Sequence, residues 1–92
     1  MPVILRQKTD GKIFSCILKN IYDLDYYGTR YWDDPKRADA EYADFLQQMN
    51  EDIGKWELVE IEEHQLKMCN VKLANDPRRS VYLDQKGHLT VR

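Results

Sequence analysis

The chain has 92 residues, 42% of them hydrophobic and 33% charged, with a net charge of −2. That balance excludes a disordered chain, and no apolar run approaches the ~20 residues of a membrane-spanning helix. One domain spanning residues 1–92 is expected, and a domain of this size buries only about 60–65% of its extended-chain surface. The opening Met1-Pro2-Val3-Ile4-Leu5 is too short for the apolar core of a targeting leader, so none is expected.

The charge is unevenly distributed. Residues 1–20 hold four bases against one acid, residues 21–63 hold four bases against thirteen acids, and residues 64–92 hold six bases against two acids. If the two ends share a sheet, the folded protein is electrically bipolar; if ends and middle interleave, the blocks neutralise one another.

Residues 3–8 and 12–19 flank Thr9-Asp10-Gly11, and Asp-Gly between apolar runs predicts a β-hairpin. In its second strand Phe14, Cys16 and Leu18 share one side and Ile13, Ser15 and Ile17 the other, so both faces are expected to be covered. Residues 20–33 read as an irregular segment anchored by Ile21 and Leu24, bent at Gly28 and ending in a short strand. It is also the densest aromatic stretch: Tyr22, Tyr26, Tyr27, Tyr31 and Trp32 are five of the ten aromatic residues of the chain.

A helix is predicted over residues 35–53. Asp34 caps it, Pro35 suits its first position and Gly54 its stop. Ala38, Tyr42, Phe45, Leu46, Met49 and Ile53 form one apolar face. The opposite face carries Arg37, Asp39, Glu41, Asp44, Gln47, Glu51 and Asp52. Basic Lys36 and Arg37 near the start, with acidic Glu51 and Asp52 near the end, oppose the helix dipole.

Residues 56–63 read as a strand whose alternation slips between Leu58 and Val59, as at a bulge. Residues 66–73 fit either period; a strand is preferred because Asn75-Asp76-Pro77 then turns the chain into residues 80–84. A second turn at residues 84–87 leads to a last strand at 88–91. The sum is an α+β fold, a mostly antiparallel sheet with one long amphipathic helix packed on it.

Chemical signatures are sparse. Cys16 and Cys69 sit among apolar neighbours and read as free, buried thiols of a reducing cytoplasm, without the electropositive surroundings that activate a nucleophile. Glu60, Glu62 and His64 would share one face of a strand, a weak metal set. With two histidines in the chain and no zinc-type spacing, no metal site is expected. The four glycines are too scattered to cradle phosphate, and no cofactor is expected.

A small cytoplasmic accessory or regulatory protein, binding another protein without catalysis, is the preferred reading. The contact residues expected are Tyr26, Tyr27, Arg30 and Tyr31 with the acidic helix residues Asp39, Glu41 and Asp44, against a partner that is basic or apolar. Two rival readings stand beside it. A nucleic-acid-binding domain would use the basic terminal strands, but the aromatic stretch lies in the acidic section, where phosphates are repelled. A small hydrolase would pair carboxylates with His64. The oligomeric state stays open, and no membrane partner is expected.

Overall fold

Val3, Ile4 and Leu5 are all buried, which requires cover on both faces of the strand that carries them. A computed structural model describing residues 1–92 supplies that cover. Strand β1 (Val3–Gln7) is central in a three-stranded antiparallel sheet, between β4 (Tyr31–Trp32) and β5 (Trp56–Glu60). Val3 and Leu5 join a core with Ala38 and Leu46 of helix α1 (Pro35–Gln48), while Ile4 joins one with Leu66, Cys69 and Leu73 of helix α2 (Glu63–Leu73). The sheet thus lies between two helices. Two hairpins complete the α+β fold: β2 (Ser15–Lys19) with β3 (Asp25–Thr29), and β6 (Val81–Leu83) with β7 (Leu89–Val91). No helix is long and apolar enough to cross a membrane.

The Asp10-Gly11 turn forms, with Gly11 at φ +80°. A Cβ on Gly11 would stand 2.6 Å from the Leu83 carbonyl oxygen, so glycine is required here twice over. The expected hairpin, however, holds for only three residues. Gln7 N donates to Lys12 O and Phe14 N to Leu5 O, after which β2 leaves to pair with β3. The cause is competition for one edge: β4 already occupies β1 at Val3 and Ile4, so residues 15–19 have no edge left to follow. Gly28 is no bend. It pairs with Cys16 inside β3, where a Cβ would lie 2.6 Å from the Tyr26 ring and 3.2 Å from Asn70 Oδ1.

Helix α1 begins as expected, with Lys36 N donating to Asp34 Oδ1 at 2.9 Å. It ends at Gln48 rather than at residue 53. Asn50 takes the left-handed conformation (φ 58°), Asn50 N donates to Gln47 O, and Glu51 N donates to Leu46 O. This is a C-terminal cap that asparagine supplies nearly as well as glycine. Gly54 lies instead in a single 3-10 turn (Ile53–Lys55) capped by Asp52, so Glu51 and Asp52 stand beyond the last turn of α1 rather than within it. Ala38 and Leu46 are buried and Tyr42 and Phe45 half-buried, but Met49 and Ile53 are exposed.

Residues 66–73 are helical, not a strand. Leu66, Cys69 and Leu73, spaced three and four apart, reach Ile4 and Ile13 as one stripe. Glu62 N donates to Gln65 Oε1 at 2.9 Å, closing the first turn. Strand β5 shows no bulge: it runs in register from Val3 opposite Glu60 to Gln7 opposite Trp56. Leu58 packs toward α1 and Val59 toward α2, because both faces of this strand are apolar environments. The charge blocks interleave at this sheet, where basic-section Arg6 meets Glu57 at 2.7 Å.

Helix α2 and the turn that follows it also finish the outer edge of β3. Thr29 N donates to Asn70 Oδ1 at 2.9 Å, and Tyr27 N to Asn75 Oδ1 at 2.7 Å. Two side-chain amides replace the missing neighbouring strand.

Two stability measurements test this architecture. In urea denaturation Leu46→Ala should cost about 2–5 kcal/mol, whereas Met49→Ala, on the same face by periodicity, should stay within about 0.5 kcal/mol. Equal costs would place Met49 in the core. Asn70→Ala should cost about 1–3 kcal/mol by stranding the Thr29 N–H, and Asn70→Asp, which keeps an acceptor, should recover much of it.

Candidate functional site

The aromatic stretch divides by strand geometry. Side chains of β3 alternate between faces, so Tyr26 turns to the side of Gly28 and Leu18 while Tyr27 turns with Ile17 to the other. Trp32 is core, 4% exposed, and meets Phe45 edge-on with ring centroids 5.9 Å apart. Tyr26, Tyr27 and Tyr31 are half-buried, and Tyr27 and Tyr31 pack against the α2-side core.

Of the residues expected to bind, three converge. Tyr26, Arg30 and Tyr31 line one cleft of about 380 Å3, together with Leu18 and Lys19 of β2, Trp32, Asp33 and Arg37. Glu41 and Asp44 lie in an adjoining recess of about 240 Å3, which Arg30 and Phe45 also line. Tyr27 is on the opposite face of β3, and Asp39 is exposed on α1 and lines neither recess. The aromatic cleft is flanked by Lys19, Arg30 and Arg37 against Asp33 alone. Sequence position hid this, because Lys19 comes from the basic first section and folds beside the aromatic residues.

Arg30 occupies the junction of the two recesses. Its guanidinium carbon lies 4.4 Å from the centroid of the Trp32 ring and 4.9 Å from that of Phe45. Glu41 is already engaged: Arg37 Nε donates to it at 3.1 Å and Trp32 Nε1 at 3.3 Å. The Arg37 hydrogen bond foremost holds the Glu41 carboxyl below its ordinary value. Burial, with Asp33 close by, pushes the Tyr31 hydroxyl up. Asp44 has no ion pair within the chain.

The exposed apolar surface lies elsewhere. Ile17 is 59% exposed, and the β2–β3 loop presents Ile21 at 91%, Tyr22 at 76% and Leu24 at 62%. Ile21 and Leu24, expected as core anchors, therefore point to solvent. The reason is local: Asn20 Oδ1 accepts from Tyr22 N at 2.8 Å and from Leu24 N at 3.1 Å, and Asp23 adopts φ 61°. The loop closes on its own polar groups and leaves its apolar side chains outside. Asn20 and Asp23 were the signal available in the sequence.

This hairpin also has an open edge. Because the N–H groups of Tyr27 and Thr29 point away from β2, their partners Ile17 and Ser15 direct their own backbone groups away from β3. No strand pairs with β2 on that side.

The other candidate chemistry is not assembled. β5 stops at Glu60, Glu62 precedes α2 and His64 lies in its first turn, so the three do not share a strand face. No group of three or more metal-ligating side chains forms. Cys16 and Cys69 are buried and free; burial pushes the Cys16 thiol up and that of Cys69 to about 11.

No family model, no curated protein and no solved structure matches this chain.

The Glu41 link makes a pH prediction. A carboxyl whose folded value is depressed adds stability that is complete above its ordinary value of 4.5 and is lost as pH falls through the folded value. The Trp32 indole N–H resonance should therefore shift below the ordinary glutamate range, and the shift should vanish in Glu41→Ala. A Trp32 transition near neutral pH would contradict the link.

Proposed function

We propose that this chain is a small accessory or regulatory protein that works by binding another protein, with the β2–β3 hairpin as its principal contact. One observation carries the reading: Ile17, Ile21, Tyr22 and Leu24 stand exposed on a hairpin whose outer strand edge is unpaired. Contiguous apolar side chains in water are unfavourable, and a closed, self-bonded loop gives them no route into the core. A partner segment in extended conformation would meet both needs, pairing with the backbone of β2 while covering the apolar tip.

The chemistry expected of the partner is apolar and strand-forming. Asp23 and Asp25 lie 3.7 and 3.3 Å from Lys19, so the hairpin itself carries little net charge. Tyr26, Arg30 and Tyr31 border the same hairpin and extend the contact. Asp39 and Asp44 contribute long-range attraction to basic groups, while Glu41 acts by holding Arg37 and Trp32. The cytoplasm fits the two free thiols.

The test separates binding from folding. Replacing Ile21, Tyr22 and Leu24 together by serine should leave the melting temperature within a few degrees, since all three are exposed, and should weaken partner binding by more than about 2 kcal/mol. Ile17→Pro removes an N–H that bonds nothing inside the hairpin, so it should spare folding and abolish strand pairing. A partner isolated with the native protein and bound equally by both variants would overturn the hairpin reading and direct attention to the cleft or to α1.

A further inference from the structure

We infer that the cleft between β2 and the start of α1 is a carboxylate-binding site centred on Arg30. This goes beyond the hairpin contact and does not depend on it. Four of the other five arginines have a carboxylate within ion-pair distance: Arg6 with Glu57, Arg37 with Glu41, and Arg78 and Arg79 with Asp76. Arg92 is exposed at the chain end and lies over Tyr82. Arg30 differs from all of them. It is half-buried and has no carboxylate oxygen within that distance, and its Nε–H is buried without an acceptor in the chain.

The guanidinium as a whole bonds no acceptor in the chain, and the part of it that lines the cleft is free to donate to an incoming oxygen. The group is also held ready. Its guanidinium carbon lies over the Trp32 and Phe45 rings, and Trp32 is itself tied to Glu41, which Arg37 holds. A guanidinium held against two aromatic rings has less side-chain entropy left to lose on binding.

The charge count selects the anion. Lys19 and Arg37 also line the cleft, but Asp25 and Glu41 already pair with them. One cation is left without a counter-charge, which suits a monoanion better than a phosphate dianion, and Asp33 at the rim disfavours higher charge further. Leu18, Tyr26 and Tyr31 border a cleft whose exposed lining is mostly polar, and a volume of about 380 Å3 has room for more than a bare carboxylate. The ligand class is therefore a carboxylate with room for a small carrier beside it, whether a small acid or the acidic end or side chain of a peptide.

The probe is 3-phenylpropionate, compared with its neutral amide and with phenyl phosphate, by NMR titration of the native protein. The acid should shift the Arg30 Nε–H and Trp32 indole resonances saturably, and the amide should bind at least about tenfold more weakly. Arg30→Gln should lose the response, while Arg30→Lys, which keeps the charge without the planar fork, should retain only part of it. The acid-against-amide comparison needs no variant, so it stands even if Arg30→Gln melts early. Equal binding of acid and amide, or unchanged Arg30 and Trp32 resonances, would overturn the site. Tighter binding of phenyl phosphate than of the acid would overturn the choice of anion. If the site holds, phenylpropionate should compete with a peptide ending in Phe-CO2− or, alternatively, with one bearing an internal Glu, and the pair that competes identifies the natural source.

Discussion

Burial of β1 on both faces is the constraint from which the rest of the molecule follows. Three consecutive apolar residues, Val3, Ile4 and Leu5, can be removed from water only if each face of the sheet has its own cover. That requirement explains two helices instead of one, and it explains why Leu58 and Val59 are both apolar in the neighbouring strand. It also divides the interior into two cores, one with the aromatic residues Phe14, Trp32 and Trp56 on the α1 side, the other aliphatic on the α2 side. Neither core is large, so single buried side chains such as Leu46 carry a substantial share of the stability.

Strand edges connect this architecture to binding. A sheet of three strands and two separate hairpins leaves many backbone groups at edges, and each edge must be paired, covered or exposed. On β3 the cover consists of Asn70 and Asn75, two side chains that imitate a neighbouring strand through single carbonyl oxygens. Gly28 is part of the same arrangement, since only a missing Cβ lets the Tyr26 ring and Asn70 approach together. No such device protects β2, whose exposed Ile17 lies beside the apolar loop. One hairpin therefore has a guarded edge and an open one.

The aromatic stretch shows how a composition signal is resolved by alternation. Trp32 goes to the core, Tyr27 to one face of the hairpin, Tyr26 and Tyr31 to the cleft, and Tyr22 to the solvent-exposed loop. Its electrostatics are resolved in the same way. Acids dominate the local sequence, yet Lys19 from the preceding strand and Arg37 from the following helix turn toward the cleft that Arg30 occupies. The acidic helix side chains gather mainly in the adjoining recess. Arg30 between them is the point where aromatic packing and charge meet.

The α+β class, the Asp10-Gly11 turn, the start of α1 at Asp34-Pro35 and the final hairpin were legible in the sequence, because each depends on neighbours within a few residues. Capping, proline stereochemistry and turn preferences are local energies. The end of α1 was misplaced because asparagine at residue 50 can take a left-handed cap as glycine does, and Gly54 drew the prediction past it. Residues 66–73 carried both periods at once, and only the place of Ile4 and Ile13 favoured the helical stripe of Leu66, Cys69 and Leu73. The hairpin partner of β2, the exposure of Ile21 and Leu24, and the isolation of Arg30 were likewise beyond sequence reading. Each depends on which groups are already satisfied elsewhere in the fold: an edge of β1 taken by β4, a loop closed by Asn20, a Glu41 already held by Arg37. Sequence alone determined what each segment prefers; tertiary structure decided which preferences found a partner, because a strand edge, a polar group or an apolar face already satisfied by one neighbour has little left to offer another.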